Sequence, residues 1–585
     1  MAEVYVAEHV ALRKRVALKV LSEECASNPV LRQRFLREGE RAVRIRHPNV
    51  VDITDVGMVG DTPYLVMELL EGETLGDRLE REGRMPIEEA VPPRAENQIP
   101  TTHPCCGHSP RMTTRLIAVG ALIGLSCATA CGDASETATS STGAGGQGAE
   151  HGTTTSGQGG NAAGGHGTGG TGGASLHVAT DGDDAASGTE AEPFATLQRA
   201  VDIATAGDTI VVRGGVYALT TSVVIDSAGT ADAPIRIVAY DGETPIFDAS
   251  DNPRHDNPPE PRIDDSIAAT SDALGLFVTG NAEHWHIAGL EIAYAPYYGV
   301  RVYGSHNVFE RLVLHDHGAS GLEITGKEGF SPSHNLVLNS DSFHNFDPQG
   351  NGEDADGFAA KFDSLGPGNV FRGLRAWSNA DDGYDFWHAA PLLIEDCWSF
   401  DNGFNRPEWV PLLTGGWQGD GMGFKLGQEA GELSLVRVAA WGNKAFGIDD
   451  NGNGSAGGVT IHHATLVNNT KDGNPVQLDL NDGSPHTVRN TIAFDVDGPA
   501  VTSLDGAVDH ASNSWNGMTV TAADFVDLDM DALFLTATGP RNSDGTLPPI
   551  GLSLQPGSAL IDAGVDLGLP FEGAAPDLGA FELSP

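Results

Sequence analysis

The sequence predicts an all-β protein from residue 176 onward, built as a solenoid of stacked coils. Three observations predict it. Short β-rich runs recur between residues 285 and 489 with no helical period among them. Glycine opens a strand-like triplet at Gly299, Gly321, Gly357, Gly383, Gly423 and Gly447, at intervals of 22 to 40 residues, and self-similarity on that scale marks a repeat architecture. Asparagines sit in the polar turns at Asn345, Asn379, Asn402, Asn443 and Asn469. In a stack their amides can bond the next coil's backbone as a ladder; singly they are turn residues tolerant of left-handed geometry.

Length and charge bound the rest. The chain has 585 residues, room for several domains. Lys+Arg number 34 against Asp+Glu 80, a formal net charge of −46. So acidic a chain is a poor nucleic-acid binder and suits a secreted protein that holds cations. Cysteines at 25, 105, 106, 127, 131 and 397 form neither a disulfide framework nor a zinc spacing.

Residues 1–95 differ in character. Val4–Ala7, Arg15–Leu21 and Tyr64–Glu68 read as strands, and Arg32–Arg46 as a helix that His47-Pro48 ends. Val16-Ala17-Leu18-Lys19 and Arg34-Phe35-Leu36-Arg37-Glu38 resemble the small lobe of bacterial serine/threonine protein kinases, which implies that Lys19 and Glu38 are a vestigial nucleotide-binding pair. No Gly-rich loop precedes them, and no His-Arg-Asp or Asp-Phe-Gly follows. Phosphoryl transfer needs a base and magnesium ligands, so the segment is expected to be a truncated, inactive lobe.

Residues 96–111 read as a linker. Met112-Thr113-Thr114-Arg115, the apolar run Leu116–Ser126 and the small residues before Cys131 look like a bacterial lipoprotein signal, with Ala128 where a Leu is usual. That run is too short for a confident membrane span. Residues 132–175 are Gly, Ser, Thr and Ala-rich, the composition of a flexible tether. Together they predict a second start at Met112, a lipid on Cys131 and a secreted or bacterial cell-surface location, with membrane contact only through that lipid.

The folded part opens with a strand at Leu176–Thr180, a short helix after Pro193, and strands at Thr209–Val212 and Gly215–Tyr217. This resembles the entry cap of right-handed parallel β-helix proteins, whose helix covers the exposed edge of the first coil. The fold expected for 176–585 is therefore a right-handed parallel β-helix, with residues after Val501 as a terminal cap.

Two places beyond the aligned glycines stand Arg301, Glu323, Ala359, Asp385, Lys425 and Asp449. With coils about 4.8 Å apart, Asp385 and Lys425 become neighbours on one outward face. Asp356 and Asp382 both precede their glycine, and Asp381 lies beside Asp382. Four carboxylates from two coils can then converge. A hard cation such as Ca2+ takes several oxygen ligands; the alternative is a set of solvated turn carboxylates.

Asp354–Lys361, Asn379–Asp385 and Gly423–Gly427 resemble the signature coils of family 9 pectate lyases, a likeness spanning 176 to about 500. The resemblance implies Asp356, Asp381, Asp382 and Asp385 as calcium ligands, with Asp354 a rival for the first. It implies Lys425 as the base of a β-elimination on an acidic polysaccharide, pectate or polygalacturonate. Beside a divalent cation the Lys425 pKa is expected to fall. Lys361, Arg301 and Arg406 are candidates for binding uronate carboxylates. The insertion Phe404–Gly421, with Trp409 and Trp417, is either a sugar-stacking wall or a packed loop. The partner expected is the acidic polysaccharide, acted on by a monomer. The rival readings are a non-catalytic glycan-binding surface lipoprotein and a kinase-related protein.

Overall fold

The structure is a computed structural model. It describes residues 173–583 apart from 253–272, 327–328, 363, 390, 428–432, 452–457, 471–472 and 482, and upstream only four strands. Glu38, the helix expected over 32–46, the segment 112–131 with Cys131, and the tether as far as residue 172 lie outside the described residues. Among the described residues no helix is long and apolar enough to cross a membrane.

The chain divides into two units, residues 1–159 and 160–585. In the first, Ala2–His9, Lys14–Leu21, Thr62–Glu68 and Ile53–Val59 pair in that spatial order as an antiparallel sheet. Ile53–Val59 is a strand that the sequence reading did not single out. Val16, Ala17 and Leu65 are buried, and Lys19 stands between Val4 and Leu65 in register.

The second unit is a right-handed parallel β-helix with three long parallel sheets of 12, 10 and 10 strands. One coil runs Tyr384–Phe386, Leu392–Glu395, Trp398–Phe400, and returns to the first sheet at Phe424–Leu426. The β-rich runs that open at Trp285, Asn307, Asn335, Asn369, Leu392, Ser434, Val459 and Thr487 each supply a strand of the 12-stranded sheet; those strands begin at Val308, Leu336 and Leu433 where the runs open at Asn307, Asn335 and Ser434. Every coil turns one column of side chains inward. In the sheet that carries Lys425, Val300, Leu322, Phe358, Tyr384, Phe424 and Ile448 lie in register, all fully buried. Each full burial of such a side chain contributes roughly 1.5–3 kcal/mol. That column fixes the register, because a one-residue slip would exchange it for the charged column beside it.

Turn asparagines reinforce the stack. The Asn379 amide donates to Asn402 Oδ1 at 3.0 Å, Asn402 to Asn443 and Asn443 to Asn469 at 2.9 Å each, and Gln477 Oε1 ends the series. A second ladder joins Asn307, Asn335 and Asn369. Each of the three opens its β-rich run. The aligned glycines are needed because the coils touch there: a Cβ on Gly383 would stand 2.0 Å from Ser399 Oγ, and one on Gly423 2.4 Å from the Gly447 carbonyl.

The helix Leu197–Ile203, capped by Thr196, buries Leu197, Ala200 and Val201 over the first coil, as expected. The C-terminal part departs from expectation. After Asp509–Ala511 the chain folds back along the solenoid's flank instead of only closing its end. Phe525, Leu533, Ile550 and Leu560 pack on Trp377, Phe400 and Trp441, and Arg541 reaches Asp341, 200 residues away. The outward aromatic stack Phe343, Trp377, Phe400 and Trp441 gave that sheet an apolar outer face, and the tail covers it.

Candidate active site

The site sits on the outward column next to the buried one. Arg301, Glu323, Ala359, Asp385, Lys425 and Asp449 follow each other in register, the order in which the glycine alignment places them. Asp385 and Lys425 are direct cross-strand partners. Asp381 and Asp382 occupy the turn that leads into Tyr384–Phe386, and Asp356 the equivalent turn one coil below.

Asp356, Asp382 and Asp385 bring carboxylate oxygens within 4.8 Å of one another, and all three are buried. Ser320 Oγ donates to Asp356 Oδ2 at 2.9 Å. Main-chain N–H groups of Met422 and Trp387 donate to Asp382 Oδ1 and Asp385 Oδ1. Asp382 Oδ2 accepts no hydrogen bond although it is buried; the Lys425 Nζ lies 3.2 Å from it. Asp381 is buried beside this group but outside it, with Oδ1 accepting the Asp420 N–H at 2.6 Å. Asp354, the rival first ligand, is partly exposed and outside the group.

Two lysines enter the cluster. Lys361 Nζ lies 2.9 Å from Asp356 Oδ2 and 2.7 Å from Asp385 Oδ2. It thus stands among the carboxylates themselves. Lys425 Nζ contacts Asp382 and, at 3.4 Å, Asp420 Oδ2. Asp420 escaped the sequence reading, although Asp420-Gly421 repeats the Asp-Gly step of Asp356-Gly357 and Asp382-Gly383. Arg301 is 5 % exposed, paired with Glu323 at 3.2 Å and covered by the Tyr298 ring. Arg406 is bound to Asp401 at 2.6 Å. Neither of these arginines joins the carboxylate cluster.

Burial dominates the electrostatics. It pushes the Asp356 carboxyl up to about 7, with Lys361 opposing and Asp385 and Asp382 adding to the rise. It pushes Asp382 up to about 6 against the pull of Lys425, and holds Asp381 well above the usual range. Asp385 is lowered despite burial, because Lys361 and Lys425 flank it. Burial alone would lower Lys425, but Asp382, Asp385, Asp381 and Asp420 hold it well above its ordinary value. With the carboxylates uncompensated, that is the reverse of the direction expected beside a cation.

The donor set is all oxygen, buried, of one sign, and includes a carboxylate oxygen, Asp382 Oδ2, that accepts no hydrogen bond and has only the Lys425 charge beside it. That fits a hard divalent cation and gives soft thiolate-preferring metals no ligand.

The insertion 404–421 is a packed loop at its tryptophans. Trp409 stacks on Phe346 at 5.0 Å and Trp417 on Trp409 at 5.8 Å. Glu408 holds His344, and Asn351 Oδ1 accepts the Thr414 and Gly415 N–H groups. The aromatic it leaves exposed is Phe404.

Comparison with known proteins agrees with this architecture. Residues 176–495 match the family described as Pel9A-like, right handed beta helix region. Pectate lyase L of Dickeya dadantii (strain 3937) is 35% identical over 422 residues, 69% of this chain and 90% of that protein. The crystal structure of pectate lyase Pel9A aligns at 32% identity and a TM-score of 0.59, covering 71% of this chain and 97% of that one. Residues 2–132 match the protein tyrosine and serine/threonine kinase family. A serine/threonine-protein kinase of Mycobacterium leprae (strain TN) is 38% identical over 95 residues, 16% of this chain and 15% of that protein. The extent of the β-helix match decides the family: the chain belongs to the Pel9A-like right-handed β-helix proteins and is a pectate lyase-like enzyme.

Proposed function

We propose that this chain is a calcium-dependent lyase that cleaves pectate or polygalacturonate by β-elimination, with Lys425 as the base. The observation that carries the reading is the register of Lys425 against Asp385, which puts one amine over a nest of buried carboxylates. Asp356, Asp382 and Asp385 would hold the calcium ion, with Asp381 completing the set. When bound, the ion supplies charge neutralisation for the protein and uronate carboxylates.

The protein's own groups do the rest. Lys425 in its neutral form accepts the proton from C5 of the uronate. The released electron pair forms the C4–C5 double bond, the C4–O bond breaks, and the departing oxygen takes a proton from solvent. A lysine serves as base only in the fraction that is neutral, and its free pKa of about 10.4 sets an alkaline optimum. Neutralising Asp381, Asp382 and Asp385 removes three of the four charges that hold Lys425 protonated and leaves Asp420. Lys361, freed from Asp356 and Asp385 by the same change, takes a uronate carboxylate. Arg301 and Arg406 are kept as weaker candidates for that role, each needing release from Glu323 or Asp401 first.

The same reading makes the enzyme an extracellular or surface-anchored monomer, with Cys131 lipidated and residues 1–95 non-functional as a kinase. The alternative, a glycan-binding surface protein, predicts binding without turnover. Absorbance of unsaturated product from polygalacturonate, with calcium and then with chelator, separates them. Turnover that stops with chelator and returns with calcium is expected; binding of the polymer with no unsaturated product under either condition contradicts the lyase reading.

A further inference from the structure

A cavity of about 290 Å³ opens one coil beyond Lys425, between the two ends of the insertion and the turns of the next two coils. Phe404, Asp420, Lys444, Asn468 and Thr470 line it. Its volume lies just below the range for drug-sized ligand pockets, about 300–1,000 Å³, so it accommodates one ring and not an oligomer. Phe404 is 41% exposed, an apolar side chain that the fold leaves partly open to solvent. Thr470 is a partly exposed polar side chain, and Asn468, also partly exposed, is held in place at the wall by the Val496 N–H and the Met530 sulfur. The Lys444 ammonium is held against the Gly419 and Asp420 carbonyls, which fixes a positive charge at the wall. An aromatic face, short polar groups and a fixed cation are the chemistry that recognises a sugar ring bearing a carboxylate.

Asp420 ties the cavity to the reaction. It lines the cavity and also places Oδ2 3.4 Å from Lys425 Nζ. A polymer chain crossing Lys425 therefore has this cavity beside the cleavage point. We propose that the cavity is a binding subsite for one hexuronate ring of the substrate, stacked on Phe404 with its carboxylate toward Lys444. This rests on the lyase reading for the identity of the sugar. The subsite contributes affinity for longer chains and takes no part in proton transfer.

The test compares the full chain with Phe404→Ala on a ladder of oligogalacturonates and on polygalacturonate. Loss of the Phe404 ring under the sugar should raise KM for the polymer by roughly 2- to 10-fold, about 0.4–1.4 kcal/mol. The expected kcat is unchanged, and the shortest cleavable oligomer, which does not reach the cavity, is expected to keep its KM. Calorimetric titration with tetragalacturonate runs in parallel on both proteins. Equal KM values in an active parent and the variant overturn the subsite and leave the lyase reading standing. If the parent turns over nothing, weaker tetragalacturonate binding by the variant keeps the subsite and overturns the lyase. Absence of both turnover and binding in the parent overturns the two together.

Discussion

Two stretches of one outward column bury charge in opposite ways. At Arg301 and Glu323, one guanidinium meets one carboxylate under a tyrosine ring. From the next coil onward, the four carboxylates of Asp356, Asp381, Asp382 and Asp385 have two ammonium groups among them, Lys361 on Asp356 and Asp385 and Lys425 on Asp382. The first stretch is balanced within the protein; a buried pair of this kind roughly offsets its own desolvation. The second is not balanced, and its carboxyls show it by rising to about 7 at Asp356 and about 6 at Asp382. Stacked coils supply the same backbone to both stretches. The difference teaches that the solenoid provides positions, while unmatched burial marks the stretch where the cation is proposed to bind.

The largest expected effect breaks the unmatched stretch at its amine. Lys425→Ala should lower the initial rate on polygalacturonate by roughly 10²–10⁴-fold, the usual value of general-base catalysis. Lys425→Arg should not restore it, since a guanidinium stays protonated. A rate above about a tenth of the parent's for the Ala variant, well outside that range, means another group is the base. The matched stretch should respond in stability. Glu323→Ala leaves a buried guanidinium without its partner and should cost about 3–5 kcal/mol, read by denaturant unfolding, with kcat of the folded enzyme retained. A change under 1 kcal/mol would mean that Arg301 finds water on its own, and the contrast between the stretches would lose its basis. The smallest effect is expected from removing residues 1–111, because every proposed site residue of the lyase lies in the second unit; the rate of the shortened enzyme should equal the parent's, and a tenfold drop would show that the first unit contributes.

Much of this contrast was legible in the sequence. A glycine followed by a large inward residue, as in Gly357-Phe358, Gly383-Tyr384 and Gly423-Phe424, fixes strand phase, and phase fixes which residue faces out. The asparagine ladder was legible for the same reason. Lys361 stood out only as a uronate-binding candidate; its place among the carboxylates was not legible, because strand phase locates its Cα while four flexible carbons carry its charge back to Asp356 and across to Asp385. The second ladder hid because Asn307, Asn335 and Asn369 directly precede apolar pairs, Val308-Phe309, Leu336-Val337 and Val370-Phe371, and so read as part of the strands. The tail's return along the flank rests on contacts such as Arg541 with Asp341, which no local pattern announces. The Lys425 shift went the other way because the expectation assumed a bound cation, whereas the carboxylates alone hold the ammonium charged.

The central claim is that a divalent cation balances the buried carboxylates. Without it, Asp356 and Asp382 have raised pKa values in the folded state. Their contribution to stability is then present at low pH and lost as pH rises through about 6 to 7. Thermal unfolding at pH 5 and pH 8, with chelator and with calcium, for the parent and for Asp382→Asn, tests this directly. With chelator, the parent should be the less stable of the two at pH 8. Calcium at a hundred times its Kd should raise the parent's stability by about 2.7 kcal/mol and do far less for Asp382→Asn. Midpoints that ignore calcium at both pH values, in parent and variant alike, would contradict the account.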